Sequence, residues 1–198
     1  MVNKKIQAER MRKYFVEAAY NILIEQGMDK LTVRNIAKKA GYSYATIYNY
    51  FNNFDELLWA VGIKVVHNLS DVLEKHYETK KEKLKGVQLL NSVYNKYIDF
   101  FLENEKLYHF IFFKNIKTSD LKDIKTESPP NLFNLQQNIM QTFVSEGLIK
   151  EKNKEITGEL LTNSINGLLS LYFSGKEGLS KKELHLKAEE YVEYLISN

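Results

Sequence analysis

The sequence predicts an all-α fold. Apolar residues recur at helical spacing along almost the whole chain, runs alternating with period two are absent, and both prolines fall side by side at Pro129-Pro130. At 198 residues, 44% of them hydrophobic, there is room for one large domain or a small one plus a larger one. The apolar fraction excludes collagen-like and mostly disordered classes. The absence of Cys excludes thiolate nucleophiles, Cys-based zinc sites and disulfides. Nowhere do the roughly 18 consecutive apolar residues of a membrane-spanning helix occur. No apolar signal core follows Met1-Val2-Asn3-Lys4-Lys5 either, so a soluble, cytoplasmic protein with no membrane partner is expected.

Taken in order, Phe15, Ala18, Ala19, Ile22 and Leu23 make one face of a first helix, about 4–26, which Gly27 ends as a left-handed cap. Thr32 is placed to cap a two-turn helix with Val33, Ile36, Ala37 and Ala40 on its inner face. Gly41 stands where the chain must turn sharply. Ser43 then caps a second short helix with Ile47 and Phe51 turned inward. Leu57, Val61, Val65, Leu69 and Val72 mark a long helix from about 54 to 78, and Lys80-Lys81-Glu82-Lys83 reads as a solvated turn. Helices follow at about 84–103 and 105–115, then a loop over 117–130. Asn131 caps a helix to about 146, ended by Gly147, and helices at about 154–174 and 181–196 close the chain.

Charge is unevenly spread. Residues 1–50 carry nine Lys and Arg against four Asp and Glu, whereas 51–198 carry 19 against 21. A basic quarter on a near-neutral body suits a chain of which one end meets polyphosphate, although a Lys-rich solvated face has the same composition.

Residues 31–57 carry a mechanism. Two short helices joined by a tight glycine turn form a helix-turn-helix. On the outward face of the second, Tyr44, Ala45, Thr46, Tyr48 and Asn49 are short or polar-tipped. A helix entering the major groove needs such residues: hydroxyls and amides for phosphates and base edges, an Asn for adenine, an Ala methyl for thymine. Lys4, Lys5, Arg10, Arg34, Lys38 and Lys39 are expected around it to supply charge for sequence-independent affinity. An ordinary helical hairpin with tyrosines on its surface shares this spacing.

The run Leu-Thr-Val-Arg-Asn-Ile-Ala, the Ala40-Gly41 turn, Ser43, Thr46-Ile47-Tyr48-Asn49-Tyr50-Phe51 and Asp55-Glu56-Leu57-Leu58 resemble the DNA-binding signature of the TetR family of transcriptional regulators. The resemblance implies an all-α homodimer. Its N-terminal three-helix head, 1–52, would bind double-stranded operator DNA, and a helical domain, 53–198, would bind a small-molecule effector and dimerise. It puts Thr32, Tyr42, Ser43, Thr46 and Tyr48 on phosphate-contact positions and Tyr44, Ala45 and Asn49 on base-facing ones. Arg34 falls on a position that contacts bases or backbone in some members, and Lys38 adds phosphate attraction. Where the family often has Lys at the start of the fourth helix, this chain has Phe54, expected to be an apolar anchor with Asn52 or Asn53 as cap. The implied function is a ligand-responsive regulator, a repressor released from a palindromic operator. The alternative is a ligand-binding or adaptor protein of the same fold without specific DNA binding.

In the last two helices broad apolar stripes point to a four-helix interface with a second copy, also the pair the resemblance implies. Its residues are expected to be Leu161, Ile165, Leu168, Leu169, Tyr172, Leu184, Ala188, Tyr191, Val192 and Leu195. Gly158 and Gly167 would permit close helix crossing there. The middle segment is rich in aromatics, which either fill a core or surround a cavity for a hydrophobic or planar ligand. His67, Tyr94, Tyr97, Phe101, Tyr108, His109, Phe112, Phe133 and Asn138 are the candidate lining residues. No nucleophile elbow, glycine-rich phosphate loop or His-Glu-x-x-His occurs, so no catalytic residue, cofactor or metal is expected. His67 and Asp71, one turn apart, are too few for a metal site.

Overall fold

The computed structural model describes residues 2–117 and 132–197, with side chains from 4 to 117 and from 135 to 197. Among the described residues the regular elements are helical: α1 (Val2–Gln26), α2 (Val33–Ala40), α3 (Tyr44–Ile47), α4 (Phe54–Lys80), α5 (Gly86–Glu103), α6 (Glu105–Phe113), α7 (Leu132–Ser145), α8 (Lys154–Ser174) and α9 (Lys181–Ser197). Single 3-10 turns stand at Met28–Lys30 and Glu151–Asn153. The expected loop beyond Lys117 and the Asn131 cap lie outside the described residues.

Contacts divide the chain into two compact units, one from 1–68 and 104–129, the other from 69–103 and 130–198, so the division falls inside α4. In the first unit, Phe15, Ala19, Ile22 and Leu23 of α1 are buried, as are Ile36, Ala37 and Ala40 of α2. Ile47 and Phe51, Leu57, Val61 and Val65 of α4, and Leu107, Tyr108 and Phe110 of α6 complete that core. Lys106 donates from Nζ to the carbonyls of Ile24 and Glu25 at 3.0 and 2.7 Å, placing a cation on the last turn of α1. Gly27 follows at φ 82°, ψ −176°. The positive φ was expected, but the ψ was not: this is the extended mirror region that glycine alone fills, not a left-handed helical cap.

The second unit packs α8 against α7 and α9, with α5 also against α9. That packing corrects the expected dimer surface. Leu161, Ile165, Leu168 and Leu169 of α8, with Leu184, Ala188 and Val192 of α9, are buried inside the one chain. Tyr172 and Leu195 are half-buried, and Tyr191 stays exposed. Periodicity finds the most apolar stripe of a helix, and here neighbouring helices of the same chain cover it. Gly158 also belongs to the interior. A Cβ there would meet Gln136 Nε2 at 3.2 Å and Met140 Cγ at 3.3 Å, whereas a Cβ at Gly167 would meet nothing within 4 Å.

Candidate nucleic-acid interface and ligand cavity

Local hydrogen bonds shape the helix-turn-helix. Thr32 opens α2 by accepting the Asn35 N–H at 3.3 Å, and the Asn35 amide donates back to the Lys30 carbonyl at 2.8 Å. At the other end Gly41 is left-handed, φ 73° and ψ 25°. Its N–H reaches the Lys38 carbonyl at 3.2 Å while the Tyr42 N–H reaches Ala37 at 2.9 Å, the paired bonds of a Schellman cap. Ser43 then accepts the Thr46 N–H at 3.2 Å and opens α3. This helix is shorter than expected. After Ile47 the chain continues in turns, with the Phe51 N–H on the Ile47 carbonyl at 3.0 Å.

Of the residues singled out for DNA, Thr32, Arg34, Lys38, Tyr42, Ser43, Tyr44, Ala45, Tyr48 and Asn49 are exposed, and Thr46 is half-buried. Tyr44 is the most open of the tyrosines here, at 60%. Tyr42 is anchored: its ring packs edge-on against Phe15 and Tyr14, and its hydroxyl donates to Met11 Sδ. Lys39 is engaged by Glu25 at 2.6 Å, and that hydrogen bond holds the Glu25 carboxyl below its ordinary pKa. Lys39 is therefore less free for phosphate than its position in the sequence suggests.

Beneath this surface lies a clamp that residue patterns did not disclose. Arg12 of α1 donates to the Tyr50 carbonyl, pairs with Glu56 at 2.8 Å and stacks 4.2 Å above the Phe51 ring. Glu56, almost fully buried, accepts the Asn52 N–H at 2.6 Å. Asn53, one of the two expected caps of α4, accepts the Glu56 N–H at 2.8 Å.

The second unit holds a cavity of about 250 Å³. It is lined by Leu73, Leu90, Val93, Leu135, Ile139 and Met140, with Tyr94, Tyr97, Gln136 and Thr162. Of the eight described residues expected to line a pocket, Tyr94 and Tyr97 do. Phe101 is core packing, its ring 5.1 Å from that of Tyr97. Tyr108 is buried in the other unit with its ring 4.7 Å from Phe112, and His109 faces Glu105. His67 and Asn138 do not line the cavity, and the Phe133 side chain lies outside the described residues. The aliphatic lining was missed because isolated apolar positions on three helices, α4, α5 and α7, look alike until the helices are assembled. A separate polar crevice of about 430 Å³ runs along α5 past His76, Asn91, Asn95 and Asp99 to Glu189.

Residues 15–61, spanning these helices from Phe15 into α4, match the family of bacterial regulatory proteins described as tetR. That segment carries the DNA-binding domain of TetR-family transcriptional regulators. It is 29% identical over 170 residues to the HTH-type transcriptional regulator PksA of Bacillus subtilis (strain 168), across 83% of this chain and 80% of that one. Its fold is that of RolR, solved in complex with resorcinol, at a TM-score of 0.70 and 16% identity over 96% of this chain and 87% of that chain. It also matches Thermus thermophilus FadR, a TetR family repressor in complex with lauroyl-CoA, at 0.70 and 17% over 93% of each.

Within this TetR-like segment, the departure at Phe54 leaves that side chain half-buried at the first position of α4. On α8 and α9 the large apolar residues left open are Ile156 at 50%, Leu160 at 45%, Leu171, Leu186, Tyr191 and Tyr194. Ile156, Leu160, Gly167 and Leu171 lie on one side of α8 at helical spacing, a second row behind the buried one.

Proposed function

We propose that a homodimer of this chain occupies a palindromic operator and represses transcription until a small hydrophobic or aromatic effector enters the cavity of the second unit. DNA binding is assigned to 1–52, and effector binding and dimerisation to 53–198. The protein acts by binding alone, in the cytoplasm where its DNA is.

The observation that carries this reading is the exposed Tyr44, Ala45, Tyr48 and Asn49, seated on buried Ile47 and Phe51 at the end of a doubly capped turn. Tyr44, Ala45 and Asn49 are assigned to base edges. Thr32, Tyr42, Ser43, Thr46 and Tyr48 are assigned to phosphates, with Arg34 and Lys38 adding charge. The open row on α8, with Tyr191 and Tyr194 of α9, is the proposed seam between copies. Repression from a palindrome requires the two recognition helices of a dimer to stand about 34–36 Å apart, one turn of duplex. Because α4 runs from one unit into the other, a change at the cavity has a continuous helix along which to reach the head.

Selection from a random duplex library by the full-length protein tests this. Enrichment of two inverted half-sites, centred one helical turn apart, is the expected result. Failure to enrich any sequence above background overturns the reading.

A further inference from the structure

The polar end of the cavity is built rather than incidental. Gln136 donates both hydrogens of its side-chain amide, one to the Gly158 carbonyl at 2.7 Å and one to Thr162 Oγ1 at 2.8 Å. A carbonyl can only accept, so the amide cannot be turned round and Oε1 is left as an open acceptor among the described residues. Gly158 makes this seat possible, since a Cβ would stand 3.2 Å from Gln136 Nε2. Tyr94 brings its hydroxyl to 3.4 Å from Thr162 Oγ1 and also meets the Gln136 side chain, so a ligand hydroxyl entering here would join contacts these three side chains already make. Burial keeps that phenol neutral by raising its pKa.

Among the described residues the lining contains no Lys, Arg, His, Asp or Glu. An ionised ligand group would lose its hydration there without a countercharge. Size is a second limit. A cavity of about 150 Å³ holds benzene, so about 250 Å³ scales to roughly ten non-hydrogen atoms.

We propose that this cavity takes a neutral one-ring phenol or alcohol whose hydroxyl donates to Gln136 Oε1 and accepts from Tyr94, its ring lying among the aliphatic side chains. The proposal rests on the reading of this cavity as the effector site.

Calorimetric titration of the full-length protein with 4-ethylphenol, ethylbenzene, 4-ethylbenzoate and lauroyl-CoA tests it. We expect 4-ethylphenol to bind about tenfold more tightly than ethylbenzene, and the two anions to bind least. Tyr94→Phe, which removes a single oxygen, is expected to weaken 4-ethylphenol about tenfold and leave ethylbenzene unchanged. Gln136→Met should act in the same direction. Equal binding of 4-ethylphenol by wild type and Tyr94→Phe overturns the proposal, as does tighter binding of either anion. The same probes added to protein bound to its selected duplex separate the two readings. Release by lauroyl-CoA without 4-ethylphenol binding rejects the phenol class and retains an effector site. 4-Ethylphenol binding without release retains the phenol class and rejects the effector role.

Discussion

The guanidinium of Arg12 stands 2.8 Å from Oε1 of Glu56, tying the first helix to the fourth behind the recognition segment. The Glu56 side chain is only 5% exposed, that of Arg12 31%, so removing the cation leaves a carboxylate in a nearly dry site with one backbone N–H for company. Breaking a fully buried pair costs about 3–5 kcal/mol; the open side of Arg12 reduces this to about 2 kcal/mol for Arg12→Met. Glu56→Gln keeps an acceptor for the Asn52 N–H and should cost about 1 kcal/mol. Urea unfolding measures both. A neutral Arg12→Met would mean that water screens the pair.

Gly41 and Gly27 should respond differently to alanine. At Gly41 the backbone is left-handed helical and an added Cβ meets nothing within 4 Å, so Gly41→Ala should cost about 1 kcal/mol. Gly27 sits where φ is 82° and ψ −176°, and is buried, so Gly27→Ala should cost about 2–3 kcal/mol. The order of the two denaturation midpoints is the check.

For DNA, Asn49→Ala and Tyr44→Ala should relax sequence preference at particular positions of the selected site. Lys38→Ala should instead weaken all duplexes alike and lower the salt slope by about 1. Quantitative gel shifts at several salt concentrations on matched and mismatched duplexes distinguish these outcomes. If neither class of change moves binding, the recognition surface lies elsewhere on the head.

What the sequence disclosed and what it withheld follow from how local each signal is. Caps and turns are local: Thr32, Gly41 and Ser43 could be placed because their partners stand within a few residues. Ser180 and Glu183, which were not singled out from the sequence, form a reciprocal capping box in the structure. Arg12 was not readable as a clamp, because Tyr50 and Glu56 lie some forty residues away and nothing in a Lys/Arg-rich helix marks the one that turns inward. The cavity was withheld for a related reason. Conspicuous aromatics such as Phe101 and Tyr108 fill core, and the space opens among aliphatic residues that no pattern distinguishes. On α8 periodicity reported the strongest apolar stripe and could not show that the same chain uses it.

His76 provides a pH dependence. Burial, with Lys80 and Lys96 nearby, lowers its pKa below the ordinary imidazole value, while the Ser92 backbone and the Asp99 charge only partly offset this. The unfolded chain therefore takes up a proton before the folded one does. The stability this group contributes is complete above the unfolded value, near 6.5, and is lost as pH falls from there through the lower folded value. Thermal midpoints should drop from pH 7 to pH 5.5, and His76→Gln, which keeps a partner for Ser92, should flatten part of that slope. An unchanged slope would assign the dependence to other groups.

The last prediction separates the buried stripe of α8 from the open one. Leu160 is 45% exposed and Leu168 only 3%. In a twofold seam each copy presents the same row, so a carboxylate at 160 is introduced twice into one apolar contact and is desolvated without a partner. Leu160→Glu should therefore give a folded monomer near 23.2 kDa by light scattering, with thermal unfolding close to that of the dissociated parent chain. Its affinity should fall to that of a single half-site. Leu168→Glu places the same charge in the interior of one chain and should unfold it instead, by at least the 2–5 kcal/mol typical of losing a buried Leu. If Leu160→Glu stays dimeric while an isosteric change at Leu168 dissociates the protein, the seam lies on the stripe that here packs inward, and the single-chain packing of α8 on α9 must rearrange when two copies meet.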